Sequence, residues 1–114
     1  MDGIQAAAER GTEPLPTPDP ARVAEIRRAI AAFQSNLEAA VSRRERLVNG
    51  AWFRYGEEMG RGDDELLVAA AAARRDQGVA GAWAEFSATM AATWEEWYRV
   101  VPEARDHPEG ILPP

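Results

Sequence analysis

Residues 23–55 read VAEIRRAIAAFQSNLEAAVSRRERLVNGAWFRY, and their spacing decides the fold. Apolar residues fall at Val23, Ile26, Ile30, Phe33, Leu37, Val41, Leu47 and Val48. Steps of three and four residues put them on one face of a helix. Upstream, Asp19 suits a helix cap and Pro20 a first helical position. Downstream, Asn49-Gly50 is a fair stop signal. Trp52 and Tyr55 nevertheless continue the face, so the pattern predicts one helix to about residue 58. Arg44 interrupts the apolar seam, seven residues after Leu37. A charge on such a seam is costly unless it has a partner.

Working outward, Gly60-Arg61-Gly62 reads as a turn. Asp63, Asp64 and Glu65 suit the positive dipole end of a second helix. That helix carries Leu66, Leu67 and five alanines, and is expected to end near Gln77-Gly78. A third helix is expected to follow, with Val79, Trp83, Phe86, Met90, Trp94 and Trp97 on one face, and to stop at Pro102. No strand signal is present. The expectation is an all-α fold of three helices, with a long first, a short second and a medium third. Residues 1–18 read as a flexible tail, 19–101 as the helical domain, and 102–114 as a proline-rich C-terminal tail.

Composition narrows the function classes. At 114 residues the chain holds one domain with a modest core, so oligomerisation is an expected source of stability. It has no cysteine, which removes disulfides, thiolate nucleophiles and sulfur-ligated metals. All thirteen basic residues are arginine, so a P-loop lysine and a Schiff-base lysine are also excluded. A net charge of −6 argues against a general nucleic-acid binder. No apolar run has the length of a membrane span and no signal peptide is evident, so a cytoplasmic location is the default. Residues 20–61 carry eight arginines and five acids; residues 62–101 carry three arginines and seven acids. Those opposite signs favour packing of one region on the other.

The residues of the first helix resemble the all-helical chorismate mutases and the related isochorismate-pyruvate lyases. Ile26-Arg27-Arg28-Ala29-Ile30 fits the opening of that family's first helix, and Phe33, Leu37, Ala40 and Val41 fit its apolar steps. Arg43-Arg44 followed by Leu47-Val48 fits its second arginine and apolar pair. Gln77-Gly78-Val79 followed by Trp83 resembles the link between its second and third helices. The resemblance covers residues 20–100 and implies an intertwined helical homodimer. The family's lysine position falls on Tyr55, with Arg54 beside it; Asp63 matches the acid opening the second helix; the late Gln or Glu falls near Glu96.

The implied activity is rearrangement of chorismate to prephenate, or action on a related chorismate-derived compound. That chemistry needs no metal, cofactor or nucleophile. It needs a bound compact conformer and stabilisation of charge on the breaking ether oxygen. Arginine forks suit the substrate's two carboxylates. The resemblance therefore implies Arg27, Arg44 and Asp63 as substrate-binding residues, and Arg44, Arg54, Tyr55 and Glu96 as catalytic ones. Arg27 and Arg44 lie seventeen residues apart, roughly 26 Å along one helix. One small dicarboxylate touches both only if a second chain, antiparallel across a two-fold axis, supplies one of them. The alternatives are an isochorismate-pyruvate lyase, or a non-catalytic helical binding or assembly protein. The size and helical make-up are also similar to small secreted helical-hairpin proteins of actinobacteria, whose Trp-x-Gly turn is absent here. Arg61-Gly62-Asp63 is read as a turn and helix start, and His107 as a solvent-exposed tail residue without metal-ligand partners.

Overall fold

The computed structural model describes residues 19–106. They form α1 (Pro20–Met59), α2 (Glu65–Val100) and α3 (Pro102–Asp106). No strand occurs among the described residues. Asp19 caps α1, its side chain accepting a hydrogen bond from the Ala21 N–H at 3.0 Å, with Pro20 in the first turn. Gly60 closes α1, its N–H reaching the Gly56 carbonyl at 3.2 Å. Asp64 caps α2 and accepts from the Leu66 N–H at 2.8 Å. Each boundary thus follows from a short polar side chain or a glycine at the point where backbone groups lose their helical partners.

α1 and α2 pack antiparallel along their lengths. Arg43 pairs with Glu85, Arg74 with Glu58, and Arg22 reaches both the Val100 carbonyl and Glu103. The last residues of α1 meet the first part of α2, mid-length meets mid-length, and the start of α1 meets the end of α2, as a hairpin requires. The least exposed positions of α1 include Phe33, Ala40 and Ala51; those of α2 include Ala71, Ala82, Thr93 and Trp97. Their separations of four, seven and eleven residues are sums of three- and four-residue steps and keep them on one face of each helix.

The core is uneven. At the open end of the hairpin, Phe33, Trp97, Val101 and Ala104 form a buried cluster, packed by Ile26, Ile30, Leu37, Met90 and Trp94. Phe33 meets Trp94 edge-on, with ring centroids 5.2 Å apart. Toward the turn the buried residues are alanines, so the helix backbones come close together. Of the eight buried apolar residues among those described, five are alanine, which makes this a thin core for two helices of such length.

Two expectations change. α2 does not stop at Gln77-Gly78 but runs through to Val100. Gly78 stays in the helix because it lies against α1: a Cβ there would stand 3.2 Å from the Ala51 Cβ. The glycine serves close approach of two helices, not a turn. Consequently the expected short second and medium third helices are one long helix. The third helix is instead a single turn, α3, after Pro102. Residues 102–106 therefore belong to the folded unit, with Ala104 only 1% exposed, while 1–18 and 107–114, including His107, lie outside the described residues.

Candidate functional site

The six residues singled out in the sequence do not converge within one chain. Arg27 is exposed near the start of α1, and Asp63 is exposed in the turn. Glu96 lies on α2 near the open end, where Arg99 donates to its two oxygens at 2.5 and 2.9 Å. That bond holds its carboxyl below the usual range. Arg44 lies at mid-length, half-buried. Its guanidinium sits 4.4 Å from the Trp83 ring centroid and 4.5 Å from that of Phe86. The seam charge thus has its partner inside the chain: two aromatic faces from α2.

Arg54 and Tyr55 do share a site. Near the turn, Leu47, Ala51, Arg54, Tyr55 and Glu58 of α1 face Ala71, Arg74, Arg75 and Gly78 of α2 across a groove of about 200 Å³. Small residues at Ala51 and Gly78 make the floor, and three arginines stand round it. Arg74 bonds both Glu58 oxygens, at 2.8 and 3.3 Å. Arg74 first, then Arg61 and Arg54 at longer range, keep the Glu58 carboxyl below its ordinary value. Arg75 lies over Trp52 and Tyr55, 4.5 and 4.4 Å from their ring centroids. Arg74 and Arg75 were not candidates in the sequence. They belong to the alanine-rich first part of α2, and only the hairpin brings them opposite Arg54.

The two flat sides of the hairpin differ in chemistry. One side carries the Arg43–Glu85 and Arg74–Glu58 pairs together with Arg54, Asn36 and Glu96. The other carries an almost unbroken apolar strip. On α1 the helical spacing places Ile30, Leu37, Val41, Val48, Trp52, Tyr55 and Met59 along it. On α2 it places Ala72, Val79, Trp83, Phe86, Met90 and Trp94 there. The Arg44 and Arg75 contacts tie the two rows into one surface, since each arginine of one helix covers two rings of the other or of its neighbour. Trp52, Met59 and Trp83 remain 52%, 38% and 49% exposed on it.

Among the described residues no group of His, Cys, Asp and Glu is placed to hold a metal ion, and no helix is long and apolar enough to cross a membrane. In comparisons with known proteins the chain matches no family model, no curated protein and no solved structure.

Proposed function

We propose that this protein is an assembly module: a helical hairpin that pairs with a second copy of itself through its apolar side. One observation carries the reading: Trp52, Met59 and Trp83 stand exposed along one side of the hairpin among aliphatic residues of both helices, while the other side carries the Arg43–Glu85 and Arg74–Glu58 pairs; Phe53, Leu66 and Leu67 are exposed outside that strip. A single hairpin leaves Trp52, Met59 and Trp83 of that strip largely in water, and a core in which five of eight buried apolar residues among those described are alanine gives little to offset the entropy of ordering two long helices. Ile30 to Met59 spans about 44 Å and Ala72 to Trp94 about 33 Å, so a strip two helices wide, about 16–20 Å, presents on the order of 600–800 Å². Specific interfaces bury about 600–1,000 Å² from each partner. Two hairpins pressed together on these sides make a four-helix bundle with a continuous core.

The test is to place a carboxylate in the strip and, separately, on the opposite side. Trp83→Glu is expected to abolish pairing in sedimentation velocity. Gly81→Glu, on the ion-paired side, is expected to leave it intact. Equal behaviour of the two variants, with helicity retained by circular dichroism, would defeat the proposal.

The chorismate-mutase-like reading is a second proposal, and one observation favours it. Arg54 and Tyr55, which the resemblance implies as catalytic, face Arg74 and Arg75 across a groove large enough for a small dicarboxylate. Arg27, Arg44, Asp63 and Glu96 stand outside that groove, so the reading requires a second chain to bring them in. Loss of chorismate absorbance with purified protein, and its abolition in Arg54→Ala, would support it. No turnover at high protein concentration would remove it and leave the assembly reading standing.

A further inference from the structure

We infer that the groove near the turn is a binding site for a small oxyanion, a phosphate or carboxylate group held between arginines of both helices. It requires neither turnover nor pairing, so it stands apart from both readings above. Arg54 comes from α1, Arg74 and Arg75 come from α2, and Glu58 is the one carboxylate among the lining residues. That carboxylate is already engaged by Arg74 through its Nε and Nη2. Arg75 turns its Nε and Nη2 to Asp76, an exposed residue outside the lining. Arg54 has no ion pair among the described residues. Behind Arg74 and Arg61, it helps to hold the Glu58 carboxyl below its ordinary value, so its charge reaches into the groove.

The donors left over define the ligand. A guanidinium presents its N–H groups in a planar fork that matches the oxygens of a carboxylate or phosphate. Arg74 and Arg75 each commit one edge of that fork to an acid and keep Nη1, while Arg54 keeps its whole fork. The Tyr55 hydroxyl adds a neutral donor. A site with several uncommitted donors and one occupied acceptor calls for an anion. The floor is short: Ala51, Ala71 and Gly78 leave space between the helices that no side chain fills. Its volume of about 200 Å³ is below the roughly 300–1,000 Å³ of pockets for drug-sized ligands, so the anionic group carries at most a short carbon body. An oxyanion bridging Arg54 and Arg74 braces α1 against α2 at the end of the hairpin where the buried residues are alanines. Both arginines lie on the ion-paired side, which pairing through the apolar side leaves open to solvent.

The experiment titrates the full chain with sodium phosphate and, separately, with sodium succinate, at neutral pH, constant ionic strength in chloride and one protein concentration. Thermal melts follow both anions, and the phosphorus NMR line width reads phosphate binding directly. Binding to the folded state alone gives a saturating rise in Tm, about 4–8 °C when the anion stands at about five times its Kd. Arg54→Ala is expected to weaken binding by about tenfold or more, through the loss of charge-assisted hydrogen bonds. Glu58→Gln removes the lining carboxylate, releases Arg74 and is expected to tighten binding. Arg46→Ala, which removes an exposed arginine of α1 outside the groove, is expected to leave binding unchanged. Saturation by either anion with that order of variants supports the inference, and the anion that saturates says which oxyanion the groove takes. A rise that never saturates and is the same in every variant is the general effect of an excluded salt and overturns it. Equal weakening by Arg54→Ala and Arg46→Ala, or no response to either anion, overturns it as well.

Discussion

Gly78 and Gly81 lie one turn apart in α2 and offer an internal comparison. Gly81 has nothing within 4 Å of where a Cβ would stand, whereas a Cβ on Gly78 would be 3.2 Å from the Ala51 Cβ. In a helix interior, alanine is favoured over glycine by about 0.8–1.0 kcal/mol. Gly81→Ala is therefore expected to stabilise the protein by about that amount, a rise in Tm of about 4–8 °C for a domain of this size. Gly78→Ala gains the same propensity but tightens the α1–α2 contact by a few tenths of an ångström. It is expected to give less than about half the gain, and Gly78→Leu to lose about 1–3 kcal/mol by overpacking. Thermal melts followed by far-UV circular dichroism, at one fixed protein concentration, measure all three. Equal gains from Gly78→Ala and Gly81→Ala would refute the close approach at Ala51. A loss of helicity in Gly78→Ala would refute the uninterrupted α2.

Phe33→Ala empties the centre of the aromatic cluster and is expected to cost about 3–5 kcal/mol in urea unfolding, the usual penalty for a buried phenylalanine. Trp97→Phe is expected to cost far less, since the Trp97 Nε1 is buried without an acceptor among the described residues and no hydrogen bond is lost. Glu58, Glu96 and Glu103 all titrate below their ordinary value: Arg74 and Arg99 bond the first two, and Glu103 is held by its own backbone N–H and then Arg22. A carboxyl with a lowered folded-state pKa contributes stability above its unfolded value and loses it as pH falls. The Tm is therefore expected to fall as the solution is acidified below about pH 4.5, the ordinary carboxyl value, with less change in high salt.

Much of this architecture is legible in the residues. Asp19-Pro20 marks the start of α1, Gly60-Arg61-Gly62 marks the turn, and the three-four spacing from Ile26 to Tyr55 marks one uninterrupted helix. Local chemistry sets these features, so local patterns disclose them. Gly78 is different. A glycine after glutamine looks like a helix stop, and only the Ala51 methyl across the seam explains why the helix continues. The short helix that begins at Pro102 is hidden for a similar reason, because Ala104 is buried in a cluster with Phe33, which lies far away in sequence. At the candidate site, Arg44 is conspicuous as a charge on an apolar seam. Its partners, Trp83 and Phe86, were read only as a helix face. The groove escapes a linear reading altogether: Arg54 and Tyr55 come from one helix, Arg74 and Arg75 from the other, and the antiparallel fold joins them.

The most direct test of the central claim is the molar mass of the native protein in solution, measured by light scattering over a dilution series. Pairing through the apolar side predicts twice the 12.5 kDa of one chain at high concentration, falling toward one chain on dilution. A mass of one chain at every concentration would contradict it.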